Sequence, residues 1–257
     1  MKHFLCALAL ALLTSTAYSA PAPLIVGMEL SYPPFEMTDS TGKPSGISVE
    51  IAEALAKELG TTVRIENIGY DGLIPALKTG KIDCIISSMT ATVERARSVD
   101  FSEAYLKTGL SLLVGAGSPV KKVEDLNVPS RTVAVKKGTT GHQYAVAHLP
   151  KAKLLVLDKE SAAVLEVSQG KAEAFIYDEM SVFRNHQRNL ATTRAILHPF
   201  KEESWAIAVR KGNAELLKKI NVFLASYRKE GGFERLGNKH FANEKKIFKE
   251  MGVPFLF

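Results

Sequence analysis

Short apolar runs of strand type alternate with helix-period stripes along almost the whole chain, and this alternation limits the fold more than any other feature. Leu24–Met28 reads as a strand, and the proline-bearing segment Glu29–Phe35 after it reads as a stiff loop. Ser48–Leu59 carries Val49, Ile51, Ala52, Leu55 and Ala56 on one helical stripe, with Ser48 as the expected N-cap and Gly60 as the stop. Thr62–Ile68 alternates like a strand, and Asp71–Thr79 has Leu73, Ile74 and Leu77 at helical spacing. Strands are expected again at Thr108–Val114, Thr132–Lys136, Leu154–Leu157, Ala174–Tyr177 and Trp205–Val209. Helices are expected at Gln143–Leu149, Ser161–Gln169, Met180–Arg188, Glu215–Arg228 and Phe233–His240. Repeated strand–helix units of this kind define an α/β protein with a mostly parallel sheet.

The first residues are a separate matter. A short basic start, an apolar run Phe4–Leu13 and the small-residue site Ala17-Tyr18-Ser19 read as a secretory signal peptide, residues 1–19, cut before Ala20. Cys6 leaves with it, and Cys84 remains as a single cysteine inside a strand-like run, a small buried hydrophobe with no disulfide partner. A hydrophobic content of 46% with 23% charged residues suits a globular chain. The net charge of +6 is spread along the chain without the basic, aromatic-laced stripe that a nucleic-acid surface needs.

The stretch Lys81–Arg97 concentrates the chemistry. Ile82–Ile86 reads as a buried strand, which breaks into Ser87, Ser88, Thr90 and Thr92 before a charged segment with Arg95 and Arg97. Hydroxyls, free backbone N–H groups and a guanidinium at the carboxyl end of a strand suit the capture of a small carboxylate. The competing reading is that Arg95 and Arg97 line a solvated helix face. A second stretch echoes this one: Leu77–Ile86 and Val167–Ile176 both run from a helix end through a glycine, a lysine and an acid into an apolar strand. The first delivers Ser87-Ser88 and the second delivers Asp178.

Taken in order, Tyr32-x-x-Phe35, Asp71–Leu77, Gly80-Lys-Ile-Asp83, Ser87-Ser-Met-Thr90 through Arg95, Gly138-Thr-Thr140 and Asp178 make the chain resemble a known family. It is similar to the periplasmic amino-acid-binding proteins of ABC importers, extracellular solute-binding family 3, of the arginine-binding type. The resemblance implies a two-lobed type II binding-protein fold with two hinge strands. Lobe 1 would be residues 20–108 with 206–257, and lobe 2 residues 109–205. It implies capture of an amino acid between the lobes and delivery to a membrane ABC permease, by a monomer in the periplasm, without cofactor, metal or catalytic residue.

The family's roles fall on named positions. Arg95 would fork onto the ligand α-carboxylate, helped by backbone N–H groups near Thr90 and Thr140; Ser88 would lend an oxygen to the α-ammonium, and Ser87, Met89, Gly138 and Thr139 would complete the ligand-binding set. Asp178 would take the α-ammonium, and Tyr32 and Tyr70 would wall the side chain, unless they are ordinary core aromatics. Glu29, where basic-amino-acid binders carry an acid, would face a cationic side chain and make L-arginine the expected ligand; glutamine or another polar amino acid is the alternative. The other reading of Glu29 is a solvated loop acid. Lys136 is expected to point to solvent, since in the cleft it would oppose a cationic ligand, and Gly141 stands where some basic-amino-acid binders have a glutamine, so that one ligand hydrogen bond is either missing or supplied by backbone. The rivals are an enzyme or a sensor on the same fold, but none of His142, His148, His186, His198 and His240 stands in a metal motif or beside a nucleophile.

Overall fold

The computed structural model describes residues 21–250, together with residues 252 and 255. The leader expected at residues 1–19 lies outside them. β1 (Leu24–Met28) leads into a small antiparallel sheet of β2 (Ser31–Tyr32), β3 (Glu36–Thr38) and β4 (Pro44–Ser45). Next come α1 (Ile47–Glu58), β5 (Val63–Asn67), α2 (Leu73–Lys78), β6 (Cys84–Ile85) and α3 (Val93–Ala96). After the long strand β7 (Val99–Gly115) the chain forms β8 (Thr132–Lys136), α4 (Thr140–His148), β9 (Lys153–Leu157), α5 (Glu160–Ser168), β10 (Ala174–Asp178) and α6 (Glu179–Arg188). A second long strand, β11 (Thr193–Arg210), is followed by α7 (Ala214–Lys229), α8 (Gly232–His240) and α9 (Ala242–Glu250).

The main sheet runs β5-β1-β6-β11-β7-β10-β8-β9. Parallel triplets, β5-β1-β6 and β10-β8-β9, flank a central antiparallel pair of long strands. The expected parallel character therefore holds only for the flanks. β7 and β11 reach far beyond the expected Thr108–Val114 and Trp205–Val209, because polar and charged stretches such as Lys201–Glu203 pair as well as apolar ones when a long partner lies alongside. Their register slips between Ile196 and Lys201 and again around Ala206, and Pro199, which cannot donate to a ladder, sits in the first slip.

Local sequence explains the start of α1 differently from the expectation. Gly46 is its N-cap at φ 113°, and a Cβ there would come within 2.6 Å of the Pro34 and Phe35 carbonyl oxygens. Ser48 therefore lies inside the helix, buried, where its hydroxyl donates to Glu36 at 2.7 Å instead of capping. The apolar stripe Ile51, Ala52, Leu55 and Ala56 is fully packed, and so is Cys84. The helix α9 lies beyond the elements anticipated from sequence and packs on α6 through Phe183–Phe248 ring contact and the Arg184–Glu244 ion pair.

Candidate functional site

The parallel strands of both triplets end at one cleft, the arrangement in which α/β sheets hold ligands. Glu29 follows β1, and the loop after β6 supplies Ser87, Ser88 and Thr90. Ser88 sits at φ 48°, outside the backbone range that most residues prefer. Ser87 Oγ accepts the Glu29 N–H at 3.0 Å and donates to Glu36 at 3.2 Å, and Ser88 Oγ donates to the same acid at 3.0 Å. On the opposite wall, β8 ends in Lys136, and Thr139 caps α4 by accepting the His142 N–H at 3.3 Å. β10 ends in Asp178, which caps α6 through the Ser181 N–H at 3.0 Å.

The walls touch through polar contacts. Tyr32 Oη donates to Asp178 at 2.5 Å. Arg95 Nη1 donates to the Thr90 carbonyl at 2.7 Å and Nη2 to the Gly138 carbonyl at 3.0 Å, while Tyr70 faces the guanidinium at 5.6 Å. Thr90 and Thr140, one from each wall, donate to the same Glu203 oxygen at 2.9 and 2.8 Å. The other Glu203 oxygen has no hydrogen bond and lies 3.9 Å from the Lys201 ammonium, a weak ion pair rather than a bond. Lys136 pairs with Glu29 across the cleft.

Burial governs the acids. It raises Glu36 to about 8 against the opposing pull of the Ser48, Ser88 and Ser87 hydroxyls, and raises Asp178 to about 7 despite the Tyr32 hydrogen bond. Glu203 is raised by the same cause, partly offset by Thr140 and Thr90. Near neutral pH the cleft thus holds carboxyls poised to change charge when a cation or an anion arrives.

Of the residues expected from sequence, Glu29, Tyr32, Tyr70, Ser87, Ser88, Thr90, Thr139, Thr140 and Asp178 line the cleft together. Arg95 and Gly138 bond to each other beside it. Met89 packs with Leu73, Ile85 and Val99 in an apolar cluster, and its carbonyl accepts the Ala206 N–H at 3.0 Å. Lys136 corrects the sequence reading. It is 1% exposed and lies in the cleft, because Glu29, more than a hundred residues away in sequence, supplies the carboxylate that makes its burial tolerable. Gly141 is also explained differently. A Cβ there would come within 2.6 Å of the Ile176 carbonyl oxygen, so backbone packing rather than ligand chemistry keeps this position small. Glu36, Tyr177, Glu203 and Trp205 line the cleft unannounced. Glu36 had a signal, an acid inside an apolar-aromatic segment, whereas Glu203 lay in a charged run that resembles a surface loop.

The sheet order and a cleft at converging strand ends define a two-lobed solute-binding fold. The chain belongs to the family described as bacterial extracellular solute-binding proteins, family 3, whose model matches residues 24–243. The L-arginine-binding protein of Pseudomonas aeruginosa is 32% identical over 92% of this chain and 94% of its own length. The ABC transporter glutamine-binding protein GlnH of Bacillus subtilis is 32% identical over 78% of this chain and 74% of its own. Among solved structures, an ancestral arginine-binding protein bound to arginine superposes with a TM-score of 0.81 at 35% identity, covering 87% of this chain and 100% of that one. The ancestral amino acid-binding protein AncCDT-1, described as a precursor of cyclohexadienyl dehydratase, gives 0.78 at 39% identity, covering 85% of this chain and 95% of that one. No helix among the described residues is long and apolar enough to cross a membrane.

Proposed function

We propose that this protein captures an L-α-amino acid with a polar side chain in the cleft and delivers it to an ABC permease from the periplasm. The observation that carries the reading is the placement of Asp178 on one wall opposite Ser87, Ser88 and Thr90 on the other, with Arg95 bridging the two. A zwitterion taken out of water needs a partner for each charge. Asp178 takes the α-ammonium, and the α-carboxylate replaces the Gly138 carbonyl as an acceptor for Arg95. Lobe 1, residues 20–108 and 206–257, and lobe 2, residues 109–205, swing about β7 and β11, so that ligand contacts to both favour the closed state.

Two side-chain classes are in play. An arginine side chain, the sequence expectation, is supported by the acids Glu29, Glu36 and Glu203 and by relatives named for arginine. A neutral polar side chain is favoured by Lys136, which already holds Glu29. Calorimetry of the chain from Ala20 onward against individual L-amino acids tests the proposal. Saturable one-to-one binding of at least one is expected, and absence of binding to all of them would overturn it.

A further inference from the structure

The family match ends at residue 243, and α9 runs from Ala242 to Glu250, so the helix lies almost wholly beyond the matched region. Its sequence gives it one adhesive face: Glu244, Ile247 and Phe248 stand at i, i+3 and i+4, while Lys246 and Lys249 are exposed. That face meets α6. Phe248 has no measurable exposure, and its ring centroid lies 5.2 Å from that of Phe183, edge to face. Glu244 pairs with Arg184 at 3.2 Å, the two side chains 17% and 23% exposed, and Ile247 shares their groove with Gln187 and Arg188. The near end of the segment is held elsewhere. Lys239 and His240, which close α8, reach Glu50 of α1 at 2.9 and 2.6 Å, and the Phe241 ring lies 5.3 Å from that of Phe35.

In chain order α6 falls between the two long strands, whereas α8 and α9 follow the second. Division of the lobes at β7 and β11 puts α6 in lobe 2, and puts α1, Phe35 and α8 in lobe 1. Resting on the reading of a cleft that opens and shuts about β7 and β11, we propose that α9 is a third, non-covalent tie between the lobes: a clasp that favours the closed state and slows release of the amino acid. A swing that parts the cleft walls moves α6 relative to α8. It must strip Phe248 from Phe183 and open the Arg184–Glu244 pair, or else pull Phe241 from Phe35. Either course returns buried aromatic surface to water. A contact made in the closed state and lost in the open one shifts the equilibrium by its own differential energy. Phe183, Arg184, Glu244 and Phe248 are not among the residues that line the cleft, so the clasp acts on release without touching the ligand. The tail extends the same aromatic group. The Phe255 ring lies 5.8 Å from Phe248 and 5.6 Å from Phe241, and it borders a groove shared with Thr108 of β7 and Glu179 of α6.

The test combines stopped-flow release of the amino acid with small-angle X-ray scattering of the protein free of amino acid. The proteins compared are the wild type, Phe248→Ala, Arg184→Glu and the charge-exchanged double variant Arg184→Glu/Glu244→Arg. Phe248→Ala is expected to speed release by about tenfold, equivalent to about 1.4 kcal/mol of lost bias, and to enlarge the radius of gyration. Arg184→Glu acts on a partly exposed pair and leaves the aromatic contact in place, so it keeps the test open should Phe248→Ala fold poorly. It should speed release about twofold to fivefold, and the double variant should return both readouts toward the wild type. Release and radius unchanged in the folded single variants overturn the proposal, and so does faster release at an unchanged radius, the result of merely loosened packing. In either case amino-acid capture itself stands. A wild type that binds no amino acid overturns the reading of the cleft, and the radius alone then decides whether α9 ties the lobes.

Discussion

On one side of the long strand pair, β1 lies between β5 and β6; on the other, β8 lies between β9 and β10. β6 and β10 occupy matching places, each next to a long strand, and are reached through matching junctions. Gly80 and Gly170 take up φ 76° and 71° after α2 and α5, and Gly80 and Gly170 N–H groups bond back to Leu77 and Val167 at 3.2 and 3.0 Å. The chemistry beyond the strand ends then diverges. One triplet ends in Glu29 and the Ser87-Ser88 hydroxyls, the other in Lys136 and Asp178. Like scaffolds thus bring unlike charges to the same cleft, and the central strands β1 and β8 meet through their oppositely charged end residues, Glu29 and Lys136. A repeated frame fixes where groups converge, while the residues at or just past each strand end decide what they hold.

The largest test of this comparison removes the group that joins the walls. Arg95→Ala is expected to cost about 3–5 kcal/mol of binding, on the scale of breaking a buried charge pair, and to leave a cooperative melt; micromolar affinity retained in calorimetry would contradict the role. Next is Asp178→Asn, with a loss of about 2–3 kcal/mol expected for a charge-assisted contact. Because burial lifts the Asp178 carboxyl to about 7, an incoming ammonium must draw off its proton below that pH. Wild-type affinity should therefore rise between pH 6 and pH 8 with proton release, and the Asn variant should lose most of that slope when measured in buffers of different ionisation enthalpy.

Glu36 tests the hydroxyl wall through stability. Its carboxyl rises from 4.5 to about 8 on folding, so the folded state holds the proton more tightly than the unfolded chain. That stabilisation is fully present below about 4.5 and is lost as pH rises through about 8. The wild-type melting temperature should fall across this window, and Glu36→Gln should fall less, with Asp178 and Glu179 supplying the remaining slope near 7. An equal fall in both proteins would remove Glu36 from this role. The smallest effect concerns the junctions. Gly80→Ala and Gly170→Ala should each cost about 1 kcal/mol, as expected for a side chain in left-handed backbone. Similar losses in urea melts would confirm the equivalence, and a clear disparity would break it.

The flanking triplets were legible in the sequence because each strand and helix carries its own period, and the echo of Leu77–Ile86 in Val167–Ile176 marks two equivalent places. The long central pair was not, since Val99–Leu106 owes its strand state to pairing with Trp205–Arg210, and Thr193–Ser204 to pairing with Lys107–Gly115, rather than to any internal pattern. In the cleft, residues next to turns and strand ends were readable from local chemistry. Lys136 and Glu203 were not, because their burial depends on Glu29, Thr90 and Thr140, partners distant in sequence for all but the pairing of walls by the fold itself.

Cys84 lies in β6 between β1 and β11, without measurable exposure, and burial pushes its thiol up and away from the reactive thiolate. If the walls part about β7 and β11 as proposed, the β1-β6-β11 ladder is expected to hold and a thiol reagent to stay excluded while the cleft opens and shuts. It gains access only when the ladder itself comes apart. The rate of alkylation is therefore a clock for disruption of the sheet that ignores cleft motion, and ligand should slow it only through the stability that binding adds.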